Sequence, residues 1–178
     1  MLEKPRAEIP DEDRQKILQF KHMMVEAVRQ TKKRKLEHGF NVCEEKGALV
    51  PSDLCVGEQC SVGIKKCPWP HTFLEMHTHP PGAGLMFSVE DLMQAISESV
   101  QYICIGNVYK YGNIRCYKLN REDPSVKKFI DLYQAVYWNH EEDKRSELLD
   151  AAGGYLFGQN NMLELVEEWK RVLKPSSP

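Results

Sequence analysis

The stretch His77-Thr78-His79-Pro80, followed by Ser88-Val89-Glu90-Asp91, constrains this chain more than any other. Residues two apart on a strand face the same side, so His77 and His79 can present two imidazoles together. The run 72–79 reads as a strand, ended by Pro80-Pro81-Gly82, where proline removes a ladder donor. Ser88 reads as the N-cap of a helix through Val89–Ile96, which puts Asp91 in its first turn. A strand end and a helix start joined by a short Pro/Gly loop can gather two nitrogens and one carboxylate oxygen around one ion. Three protein ligands with a fourth position open describe a catalytic zinc site better than a structural one.

The other elements are read around that junction. From Asp11 to about Lys35, Ile17, Leu18, Phe20, Met23, Met24, Val25 and Val28 recur at helical spacing. That predicts one long amphipathic helix ending near Glu37-His38-Gly39. Short apolar runs at 46–50 and 60–64, separated by Pro51-Ser52-Asp53, predict strands. After the helix at 88–99 come strands at 100–108 and 113–119. Asp123-Pro124-Ser125 opens a second helical region, whose apolar face is Ile130, Leu132, Tyr133, Val136 and Tyr137. Residues 141–147 read as a loop or exposed helix, stopped by Gly153-Gly154. Asn161 is expected to cap a last helix over 162–173. This order predicts an α/β fold, an α+β sandwich with a mixed β-sheet flanked by helices. Residues 1–178 read as a single domain: a core at 15–120, C-terminal helices at 121–174 and a tail at 175–178.

Composition narrows the partners. With 28% charged residues and a net charge of −2, the chain carries no basic surplus of the kind a nucleic-acid footprint needs. No apolar run reaches the length of a membrane span, so no membrane partner is expected. The first residues lack the apolar core of a secretory signal, which makes a cytoplasmic location the default expectation. Six cysteines form no C-x-x-C pair, so they are expected as free thiols, with a disulfide among Cys55, Cys60 and Cys67 as the alternative. Trp69 reads as a core anchor, and His22, His38 and His140 read as solvated.

The H-x-H-P and S-x-x-D motifs, on a strand and then a helix, resemble the JAMM (MPN+, Mov34-type) zinc metalloproteases, which include deubiquitinating isopeptidases. Glu44-Glu45-Lys46-Gly47-Ala48-Leu49 is similar to the glutamate-bearing motif that the family places upstream. The likeness spans roughly residues 15–120. Eight residues separate His79 from Ser88 here, one more than the family usually has.

The resemblance implies a cytidine-deaminase-like JAMM architecture with His77, His79 and Asp91 holding one Zn2+. It implies Glu44 as general base, with Glu45 the fallback, and Ser88 as a hydroxyl donor to the oxyanion. The implied activity is hydrolysis of an amide in a protein or peptide substrate, removing a ubiquitin-like modifier or processing a peptide tail. The short connection from Ser99 to Asp123 leaves no room for a large ubiquitin-recognising insertion, which favours a compact enzyme. The alternative is a catalytically silent scaffold of the same fold, although such relatives usually lack one or more ligands.

Overall fold

Where the sequence predicts one long helix, the computed structural model has two, α1 (Asp11–Gln19) and α2 (Lys21–Arg34). It describes residues 6–57, 66–157 and 160–175. The break is at Phe20, which leaves helical geometry with φ −99° and ψ 4°. Both helices still bury the same side, through Ile17, Phe20, Met24 and Val28, so the apolar spacing reads as continuous. α2 stops early, at Lys35, which takes a left-handed φ of 61° and bonds back to Thr31.

That early stop frees residues for β1 (His38–Glu45), a strand the sequence analysis does not contain. Residues 38–43 are all buried, so the period-2 signal that betrays a half-exposed strand is missing. β1 is flanked by β2 (Ala48–Pro51) and β3 (Cys55–Val56) on one side and by β4 (Thr72–Thr78) on the other. β4 runs parallel to β5 (Tyr102–Asn107), and α3 (Val89–Ser97) is the crossover between them. β6 (Asn113–Leu119) and β7 (Leu163–Lys170) complete the sheet in antiparallel fashion. Among the described residues the sheet has seven strands in the order β2-β1-β4-β5-β6-β7, with β3 also against β1. α4 (Pro124–Trp138) and α5 (Glu142–Phe157) lie between β6 and β7 in sequence.

The architecture is the expected α+β sandwich. One sheet face carries Phe40, Val42, Leu74, Met76, Cys104 and Ile114 against α1 and α2. The opposite face carries Ile103, Ile105, Tyr117 and Leu119 against Leu92, Ala95, Val126 and Phe129 of α3 and α4.

Three local expectations are corrected. The segment 162–173 is not a helix: most of it is β7, because pairing such as Ile114 with Trp169 and Leu119 with Leu163 overrides the helical spacing of Met162, Leu165, Val166 and Trp169. α5 runs through Gly153-Gly154 instead of stopping there. Trp69 is 71% exposed and His38 only 1%, the reverse of their expected placements. The predicted strand at 60–64 lies outside the described residues.

The cysteines are also corrected. Cys43 is bonded to Cys67 and Cys104 to Cys116, Cys55 is disulfide-bonded too, and none of the described cysteines is a free thiol. The Cys104–Cys116 bond joins register partners on β5 and β6. Disulfides of this kind persist in oxidising compartments and in the cytosol of hyperthermophiles, so cysteine usage gives the cytoplasmic expectation no support. Among the described residues, no helix is long and apolar enough to cross a membrane.

Candidate metal centre

Two pieces of local chemistry build the site. The first is the end of β4. Thr78, between the two histidines, points to the opposite face and is fully buried. Its Oγ1 lies 2.5 Å from Thr31 Oγ1 and accepts a hydrogen bond from the His38 backbone N–H at 2.9 Å. His38 Nδ1 lies 3.0 Å from the same Thr31 hydroxyl. This network ties the last turn of strand β4 to β1 and α2, which holds His77 and His79 on the other face. Gly39 is the register partner of His77. A Cβ there would sit 2.6 Å from the Met76 carbonyl oxygen, so only glycine lets β1 lie this close.

The second piece is the start of α3. Ser88 caps it, with Oγ accepting from the Asp91 N–H at 3.0 Å while Asp91 Oδ2 accepts from the Ser88 N–H at 2.8 Å. This reciprocal capping box orients the Asp91 carboxylate as well as satisfying two helix-end donors. Phe87, buried beside it, meets the His77 ring edge-on with centroids 5.7 Å apart.

Donor atoms of His77, His79 and Asp91 lie within 4.8 Å of one another. His77 Nε2 and Asp91 Oδ2 are 3.4 Å apart. That is too long for a strong hydrogen bond, and among the described residues no other hydrogen-bond partner satisfies this buried nitrogen. Two ligands about 2.05 Å from a tetrahedral zinc would be roughly 3.3 Å apart, so the spacing suits a shared ion. His79 Nδ1 lies 2.9 Å from the Gly84 carbonyl oxygen. A carbonyl can only accept, so Nδ1 carries the proton and Nε2 keeps its lone pair for a metal.

Charge in the site is tightly coupled. Burial alone would lower the His77 pKa, but the adjacent Asp91 carboxylate outweighs it, with Glu75 and Glu37 adding, and the pKa is raised. Burial pushes Asp91 up, yet His77 and the Ser88 amide and hydroxyl hold it well below the usual carboxylate range. Glu75, two residues before His77, is pushed up to about 7, chiefly by burial. Among the described residues its Oε2 has no partner, and neither has Oδ1 of Asn41, its register partner on β1.

The expected glutamate is not in this cluster. Glu44 lies five residues beyond Gly39 on β1, roughly 17 Å along the strand from the level of His77. Its N–H bonds to the His71 carbonyl, and it lines a separate cavity with Lys16, Lys46 and His71. Glu45 lies farther still along β1. The E-x-x-G-x-L match therefore sits at the wrong end of β1, where Cys43 is committed to its disulfide and is no metal ligand. The carboxylate that strand pairing does bring near the histidines is Glu37, one residue before β1. Continuing the pairing of Gly39 with His77 brings Glu37 opposite His79, on the same face, and its charge acts on His77. The signal was present as Glu37-x-Gly39, but it fell inside the predicted helix end.

Comparisons with protein-family models, with curated proteins and with solved structures gave no match.

Proposed function

We propose that this chain is a zinc-dependent peptidase or isopeptidase of JAMM-like type. The observation that carries the reading is the convergence of His77, His79 and Asp91, with a 3.4 Å separation between two of the donor atoms. Two neutral imidazoles and one carboxylate form a borderline donor set suited to zinc. When bound, such an ion supplies Lewis acidity and lowers the pKa of a water from about 16 towards 7.

The chain's own residues supply the rest. Asp91 carries the negative charge of the ligand set, and the Ser88 amide orients it. Gly84 fixes the His79 tautomer. Glu37, in place of Glu44, is the base within reach of the cluster: it takes a proton from the attacking water and returns it to the departing amine. Ser88 Oγ accepts from the Asp91 amide, and its O–H proton, which stabilises the Asp91 carboxylate at rest, can swing to donate to the carbonyl oxygen as charge develops there.

Protein purified without added metal tests this by elemental analysis. About one zinc per chain is expected, as three ligands imply a single ion, and H77A/H79A should lose it. Chelator-sensitive cleavage of fluorogenic ubiquitin-like fusions or quenched peptides completes the test. Metal-free wild-type protein, or cleavage that survives both chelator and H77A/H79A, would refute the reading.

A further inference from the structure

Strand register carries the face of His77 across the sheet. His77 pairs with Ile105, Ile105 with Arg115 and Arg115 with Glu168. Paired residues project to the same side, so Arg115 on β6 and Glu168 on β7 open onto the face that holds the candidate metal centre. β6 is two strand spacings from β4, roughly 10 Å.

A groove of about 470 Å³ lies there. Leu85 forms one wall, and it follows Gly84, the residue that accepts from His79. Tyr109 and Tyr111, 65% and 50% exposed, form the rim with Lys110, Arg115 and Arg171. Lys170 adds a fourth cation against one carboxylate, Glu168, which pairs with both Arg115 and Lys170. Four cations less one anion leave the groove at +3 in a chain whose net charge is −2. The two remaining cations rest on aromatic rings: Lys110 lies 5.3 Å from the Tyr109 centroid and Arg171 5.4 Å from that of Tyr111. Lys110, Tyr111 and Arg171 hold left-handed φ values of 43°, 71° and 57°. Side chains other than glycine adopt this geometry at a cost, and here it turns three groove-lining side chains toward one concavity.

We propose that this groove is a substrate subsite for an acidic peptide segment, with its carboxylates on Lys110 and Arg171 and its apolar atoms against Tyr109, Tyr111 and Leu85. The inference rests on the amide-hydrolase reading of the neighbouring centre. An extended peptide advances about 3.3 Å per residue, so a carboxylate in the groove belongs to a residue about three positions from the amide at the metal. A peptide is favoured over a nucleic acid because the positive charge is confined to one pocket beside amide chemistry and does not run as a stripe along the surface.

Full-length protein, zinc-loaded or chelator-treated, would be equilibrated with a degenerate pool of blocked hexapeptides, and the retained peptides read by mass spectrometry. Retained peptides should be enriched in Asp and Glu. Changing those acids to amides should weaken binding about tenfold by fluorescence anisotropy, as expected for a charge-assisted contact. About 0.5 M salt should erase the difference. K110E/R171E should lose the acidic preference while keeping its response to zinc. No acidic enrichment, a preference unchanged in K110E/R171E, or tighter binding of single-stranded oligonucleotide at this groove would overturn the proposal. Acidic preference in zinc-loaded wild-type protein that cleaves no peptide in the pool would uphold the subsite and refute the hydrolase. Cleavage without acidic preference would do the reverse.

Discussion

Asp91→Asn tests the metal centre with the sharpest arithmetic. The substitution keeps a side-chain oxygen to accept the Ser88 N–H, which Asp91 does at 2.8 Å, so the α3 cap survives. It removes the carboxylate charge 3.4 Å from His77 Nε2. If the proposed zinc site holds, zinc at 100 times its dissociation constant should stabilise the wild-type fold by about 2.7 kcal/mol. For a chain of 178 residues, each kcal/mol moves Tm by about 2–4 °C, so zinc should raise Tm by roughly 5–11 °C. If losing the ligand weakens binding about 100-fold, the same zinc concentration leaves RT ln 2, near 0.4 kcal/mol, or about 1–2 °C. Thermal scans of both proteins, with zinc and with chelator, isolate this difference, because any cost to the metal-free fold cancels within each pair. A wild-type zinc shift retained in full by D91N, or no zinc shift in wild type across a titration from micromolar to millimolar, would refute the reasoning.

Other outcomes follow from the same geometry. Glu37→Gln should keep zinc and lose about 100- to 10,000-fold in kcat on a quenched-peptide substrate, whereas Glu44→Gln should change it less than about twofold; the reverse ranking would sink the base assignment. Glu75→Gln should stabilise the metal-free fold at pH 8 by up to about 3 kcal/mol, with little effect at pH 4. The sign follows from its folded pKa, about 7 against an ordinary 4.5: the folded state holds the proton more tightly, so stability present below 4.5 is lost as pH rises through 7. Equal denaturant midpoint shifts at both pH values would contradict it. Gly39→Ala should cost about 1–3 kcal/mol and weaken zinc binding, because its Cβ would sit 2.6 Å from the Met76 oxygen and force β1 away from β4. Unchanged chemical denaturation would show that the strands can yield there.

Much of the site was legible because it depends on local chain geometry. His77 and His79 share a face by strand alternation, and Ser88 and Asp91 close a capping box within one helical turn. Neither needs anything beyond its own segment. The distance of Glu44 from the histidines has the opposite origin. A motif match carries no register, and only the pairing of Gly39 with His77 shows which end of β1 meets the histidines. A one-dimensional reading could not choose between Glu37 and Glu44, since both lie in polar stretches upstream.

The same division runs through the fold. Short-range rules were enough for β4, α3, β5, β6 and the start of α4, where apolar spacing, proline and capping residues agree. β1 is buried on both faces and lost its alternation, and β7 has helical spacing that only its pairing with β6 overrides. The disulfides likewise depend on which strands become neighbours: Cys104 and Cys116 meet only because β5 and β6 pair in that register. Residue order alone thus pointed to the grouping of His77, His79 and Asp91 and to the α+β class, since periodicity and caps act within a few residues. Tertiary pairing decided which upstream carboxylate lies near the histidines, the cysteine bonds and the charged groove, because register between distant strands is set by burial and by hydrogen bonds that no single segment contains.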